Sequence, residues 1–251
     1  MMSLDPFLLV VFVVAFVAGG IASISGFGIG SLLTPLLGVQ IGFKLAVAVV
    51  SIPHLIGTAV RFFTLRQHVD RRLLIGFGLT SAAGGLTGAL LHTFVKSPIL
   101  TAVFGLLLVF AGVTGLLGLA ERMRFGGVMG WIAGAVSGLL GGLVGNQGGI
   151  RSAALLGFDV PKHSFLATAT AIGLIVDGAR MPVYLFTEGQ DMLAEWPAIV
   201  AASVGVVAGT FAGYRLFKRF SETLFRKIVS AIVLALGLVM LFRFAREVDW
   251  L

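Results

Sequence analysis

The stretch Ser25-Gly26-Phe27-Gly28-Ile29-Gly30 lies inside an apolar run, residues 6–38, that is too long to be one membrane crossing. About 20 helical residues, each rising ~1.5 Å, traverse the hydrocarbon of a bilayer. A second over-long run, 127–157, carries Gly145-Asn146-Gln147-Gly148-Gly149 in its interior. Each glycine weakens a helix by about 1 kcal/mol relative to alanine, so both runs predict two helical pieces broken at the glycine cluster. Outward from these breaks, the runs 43–65, 73–94, 97–119, 164–187, 195–215 and 223–244 have ordinary crossing length.

The composition agrees with a lipid environment. The 251 residues are 58% hydrophobic and 12% charged, with 35 glycines and a mean hydropathy of +1.06. A soluble domain needs about a quarter of its residues charged to cover its surface. With no cysteine and four scattered histidines, disulfides, thiolate chemistry and a metal cage are not expected, and no cofactor is implied. The formal charge of +7 comes from basic residues clustered between apolar runs, where they orient a chain in a membrane, so nucleic acid is not an expected partner. The opening Met1-Met2-Ser3-Leu4-Asp5-Pro6 lacks the positive charge of a secretory signal, so the N-terminus is expected to be retained and to lie outside.

Sliding the chain by 119 residues places Gly26 on Gly145, Gly30 on Gly149, Leu36-Leu37-Gly38 on Leu155-Leu156-Gly157 and Arg61 on Arg180. This predicts two repeats, 1–120 and 121–251. Were all eight runs simple crossings, the fifteen Lys/Arg outside the membrane would split eight to seven between its sides. If 6–38 and 127–157 are hairpins that enter and leave on one face, the basic loops 66–72, 122–124, 162 and 215–227 fall on one side with eleven Lys/Arg. Four lie opposite: Lys44, Lys96, Arg243 and Arg246. The positive-inside rule favours the second arrangement, with both termini and the acidic loop 188–195 outside. The expected fold is therefore an all-α polytopic membrane protein of two inverted repeats, each a glycine-broken re-entrant hairpin plus three transmembrane helices.

Re-entrant backbone survives in a membrane only where it lines a cavity or is buried in protein. The two tips, expected to approach the midplane from opposite faces, are thus candidate substrate-binding elements: Ser25, Gly26, Gly28 and Gly30 with Gly145, Asn146, Gln147, Gly148 and Gly149. The helix start after each tip offers free N–H groups and a positive dipole end suited to an anion. The plainer alternative is helix packing, the expected role of Gly205, Gly209 and Gly213 at four-residue spacing. Arg151 follows the second tip, where a cation is costly and wants a negative partner, either a substrate anion or Asp177. Asp177 and Arg180, three apart on one helix face, form either a proton-coupling site or a structural pair. Arg61, the repeat mate of Arg180, either snorkels to the interface or attracts anions. His54 is read as a satisfied core histidine or as a coupling group.

The chain has no HExxH, no G-x-S-x-G and no dinucleotide loop in strand–helix context, so an enzyme is not expected. The glycine-rich stretch Gly19-Gly20-Ile21-Ala22-Ser23-Ile24-Ser25-Gly26-Phe27-Gly28-Ile29-Gly30, with Pro35 after it, returns in altered form as Gly138-Leu139-Leu140-Gly141-Gly142-Leu143-Val144-Gly145-Asn146-Gln147-Gly148-Gly149. It resembles the TauE/SafE family of sulfite exporters, small bacterial permeases with two such halves. Asn146 and Gln147 depart from the small residues expected there. The resemblance implies transport of small sulfur-containing anions, such as sulfite or sulfoacetate, across the bacterial inner membrane. The expected partners are that anion and the lipid bilayer, and a homodimer is compatible with the sequence. A secondary carrier is the favoured reading and a passive anion channel the alternative.

Overall fold

The computed structural model describes residues 5–119, 128–146, 148–156, 158, 161–217 and 221–248. Within them the regular structure is helical: α1 (Pro6–Ser25), α2 (Ile29–Ile41), α3 (Phe43–Leu65), α4 (Arg71–Phe94), α5 (Ser97–Leu116), α6 (Val128–Val144), α7 (Gly148–Leu156), α8 (Lys162–Thr187), α9 (Gly189–Ala194), α10 (Trp196–Phe217) and α11 (Glu222–Glu247), with a 3-10 turn at Arg66–His68. Seven of these are long and apolar enough to cross a membrane: α1, α3, α4, α5, α8, α10 and α11. The chain is an all-α polytopic membrane protein. Arg122, Arg124, Lys218 and Arg219 of the basic loops lie outside the described residues, as does Gln147.

Local chemistry sets the helix ends. Asp5 caps α1 by accepting from Phe7 N at 2.9 Å, with Pro6 following, and Asp70 caps α4 by accepting from Arg72 N and Leu73 N. The over-long runs break where the glycines sit. α1 stops because Gly26 turns left-handed at φ 77, and α6 stops at Gly145 with φ 74. Both glycines donate their N–H four residues back, to Ala22 O and Gly141 O at 3.0 Å each. A side chain is strained at that φ, so glycine is the residue that lets the helix end there. Some boundaries differ from the hydropathy reading. α2 runs on to Ile41, α5 ends at Leu116 rather than 119, and the acidic loop holds the short helix α9.

The helices pack in a reciprocal pattern. α1 lies on α10 as α6 lies on α4, α10 touches α3 as α4 touches α8, and α3–α8 and α5–α11 pair directly. Glycine makes the close crossings possible: a Cβ at Gly209 would sit 1.9 Å from Phe16 O, and Gly205 and Gly213 also face the α1 backbone. At the centre, α3 and α8 run antiparallel. Lys44, at the start of α3, lies 3.9 Å from Glu188, just past the end of α8. At the other end, the His68 ring lies 5.9 Å from that of His163, and Asp70 N donates to Thr168 Oγ1 at 2.9 Å. Loop 66–72 and the start of α8 thus share one end of the bundle, while Lys44 and the acidic loop share the other.

Candidate functional site

The site grows from the two breaks. A Cβ at Gly30 would meet Gly145 O at 2.5 Å, and one at Gly148 would meet Phe27 Cβ at 2.2 Å, so the tips lie in contact. They do not meet end to end. Gly145 rests against Val47, near the start of α3, while Gly26 meets Leu166, near the start of α8, in the turn whose Ala22 O receives Arg61 at the far end of α3. Because α3 and α8 are antiparallel, each tip reaches past the middle of α3 at His54. The two tips therefore overlap along α3. α1 has 20 residues, enough to cross the hydrocarbon by itself, which is the physical source of the overlap.

Between the tips lies a cluster of charged side chains closed from both ends. Arg61, Arg151, Asp177 and Arg180 are exposed by 5%, 2%, 0% and 2%. Asp177 takes a hydrogen bond from Arg180 Nε at 3.0 Å and pairs with its Nη2 at 2.8 Å through Oδ1, and meets His54 Nδ1 at 2.7 Å through Oδ2. The three-residue spacing on α8 gives the first pair, as the sequence implies. The second joins residues 123 apart, on α3 and α8. Arg180 also donates from Nη1 to Gly141 O at 2.8 Å.

Arg61, which the 119-residue shift places on Arg180, makes a matching set of contacts. Its Nη1 donates to Ala22 O at 2.6 Å and its Nη2 to Thr58 Oγ1 at 3.1 Å. Ala22 and Gly141 are themselves mates at the 119-residue shift, so each repeat arginine binds the same carbonyl before its glycine turn. The snorkelling reading of Arg61 is overturned: a carbonyl at the C-terminal end of α1, the negative end of a helix dipole, holds it inside.

Arg151 has no repeat counterpart, its mate being Leu32. Its Nη2 donates to Gly26 O at 3.2 Å, carrying the second hairpin onto the turn of the first. Its Nη1 would lie 2.9 Å from a Cβ at Gly173, the repeat mate of His54, so the missing side chain there makes room for the guanidinium. Arg151 Nε and Nη1 have no hydrogen-bond partner, and neither has Arg61 Nε. Among the described contacts no hydrogen bond or ion pair joins Arg151 to Asp177, whose oxygens meet His54 and Arg180. The ion-pair reading of Arg151 with Asp177 therefore has no direct contact behind it.

The remaining candidates fall around this cluster. Ser25 Oγ turns back onto Ile21 O at 2.9 Å and Phe27 O at 2.8 Å, bracing the first turn rather than pointing at Arg151. Gly28 caps the start of α2, Asn146 sits in the second break, and Gly148 and Gly149 begin α7. Sequence reasoning missed four polar residues here. Thr58 meets Arg61 and is the repeat mate of Asp177, a signal the 119-residue register contained. Thr34 Oγ1 is buried beside Gly145 without a partner. Tyr184 donates its hydroxyl to Gly142 O, and the Arg180 guanidinium carbon lies 5.8 Å from its ring centre. His92 Nδ1 meets Leu143 O at 2.7 Å. Arg180, Tyr184 and His92 thereby bind three successive carbonyls at the end of α6, a ladder with no equivalent on α1 beyond Arg61 among the described contacts.

Compared with known proteins, the chain matches the family model described as Sulfite exporter TauE/SafE over residues 11–240. No curated protein and no solved structure matches it.

Proposed function

This chain belongs to the TauE/SafE sulfite exporter family, a family of membrane transporters rather than enzymes, and from that membership we propose that it is a secondary carrier of small sulfur-containing anions such as sulfite or sulfoacetate. The substrate binds between the two glycine breaks and is released by alternating access across a bacterial inner membrane. The observation that carries the assignment to this site is Arg151: a buried guanidinium with two unpartnered nitrogens, fastened to both breaks. An oxyanion supplies the acceptors those N–H groups lack, in the planar forked geometry that suits guanidinium. Burial of the whole cluster favours a carrier over a passive channel, since an anion leaves such a site only when one end opens. A thermal-unfolding screen of the purified protein against sulfite, sulfate, thiosulfate, sulfoacetate and taurine tests the reading. A sulfur oxyanion should raise the unfolding temperature of the wild type and not of Arg151→Ala, because a ligand that binds only the folded state stabilises it. Equal shifts in both proteins would remove Arg151 from the site.

The proposed halves are 1–120 and 121–251, inverted in the membrane. The antiparallel α3 and α8, the reciprocal helix contacts and the matched Arg61–Ala22 and Arg180–Gly141 bonds support this arrangement. Loop 66–72 then faces the cytosol and α9 faces outside. Single cysteines are simple to read in a chain that has none. His68→Cys and Asp191→Cys should label from opposite sides with a membrane-impermeant reagent, and labelling from the same side would refute the inverted halves.

A further inference from the structure

The buried charges of the site do not balance. Among the described residues three guanidiniums, Arg61, Arg151 and Arg180, are buried with one carboxylate, Asp177. Arg180 and His54 use both oxygens of that carboxylate. Arg61 and Arg151 are left with neutral acceptors: Ala22 O on the last turn of α1 and Thr58 Oγ1 for Arg61, and the carbonyl of the capping Gly26 for Arg151. The negative end of a helix dipole amounts to only about half a charge, shared by two arginines. An uncompensated charge in the interior is strongly unfavourable. Three buried guanidiniums against one carboxylate leave an excess of two positive charges, carried by Arg61 on α3 and Arg151 on α7.

Building on the carrier reading above, we infer that the site takes a doubly charged oxyanion and selects it over a singly charged one of the same shape. One dianion neutralises the two unmatched arginines, so that the occupied cluster carries no net charge when the site changes its facing. A monoanion leaves one buried cation unpaired. Protonation of His54 would add positive charge and so cannot reverse the preference. The other groups facing the cluster, Thr58, Thr34 and Tyr184, bring hydroxyls and no counter-charge at neutral pH. The two unmatched arginines come from different halves, α3 and α7, so the dianion also ties the halves together.

The test is calorimetric titration of the purified full chain in detergent with sulfate, thiosulfate and methanesulfonate. Sulfate and methanesulfonate are both tetrahedral at sulfur and differ by one charge. We expect one dianion per chain, with methanesulfonate weaker by about tenfold or more, a difference of ~1.4 kcal/mol. Arg61→Gln removes one unmatched charge and should bring sulfate and methanesulfonate to near parity, while Arg61→Lys keeps the charge and should keep the preference. Should Arg61→Gln fail to fold, the wild-type comparison with Arg61→Lys still decides. Arg151-dependent binding in which methanesulfonate equals the dianions, or in which two methanesulfonates bind per chain, overturns the inference and leaves the carrier reading standing. Absence of any Arg151-dependent binding among the three overturns both.

Discussion

Arg151→Ala is expected to fold and to lose anion binding by about a hundredfold or more. Each charge-assisted hydrogen bond contributes roughly 1.5–3 kcal/mol, and Arg151 offers Nε and Nη1 without other partners. Folding should survive, because the substitution removes a buried cation that no carboxylate contacts and leaves the Gly26 turn its own N–H bond to Ala22 O. Arg151→Lys should recover only part of the affinity, since an ammonium keeps the charge but not the planar fork. Binding isotherms and unfolding temperatures of the three proteins check this. Wild-type affinity in Arg151→Ala would show that the anion sits elsewhere.

Asp177→Asn is expected to act first on stability. The side chain is fully buried and compensates Arg180 while holding His54 at 2.7 Å. Removing one partner of a buried ion pair costs about 3–5 kcal/mol because it strands the other charge. Arg180→Gln added to Asp177→Asn should return part of that loss, even though Arg180 also holds Gly141 O. The same proteins in liposomes separate a counter-charge from a coupling group. If Asp177 is a counter-charge, Asp177→Asn keeps accumulation driven by a pH gradient in proportion to its folded fraction. A folded Asp177→Asn that exchanges substrate but no longer accumulates it under that gradient would instead assign Asp177 the coupling proton. Unchanged stability and unchanged accumulation would leave it neither role.

How much of this was legible in the sequence depends on the range of each interaction. Gly26 and Gly145 were readable because the signal is local: a helix cannot pass easily through a glycine cluster, and each stops where φ turns positive. Arg180 with Asp177 was readable from spacing alone. Arg151 was readable as a costly cation without a neighbour. His54 with Asp177 was not, since the pair forms only when α3 and α8, 123 residues apart at this contact, come side by side. Arg61 misled for a related reason: four residues from the end of α3 it looks able to reach water, but the carbonyl that captures it belongs to α1. The tips' overlap depended on how far α1 extends against α3 and α8, a tertiary register that hydropathy does not carry. Tyr184 and His92 were hidden because their acceptors are backbone carbonyls of α6, invisible to any reading by residue type.

The central claim is that a buried, Arg151-centred site alternates between the two sides. Counterflow in liposomes containing the purified protein measures it most directly. Vesicles loaded with unlabelled sulfite and diluted into trace labelled sulfite should take up label transiently above equilibrium, with a rate that saturates, and Arg151→Ala vesicles should not. Flux that rises linearly with concentration and shows no overshoot, or an overshoot undiminished in Arg151→Ala, would contradict the account.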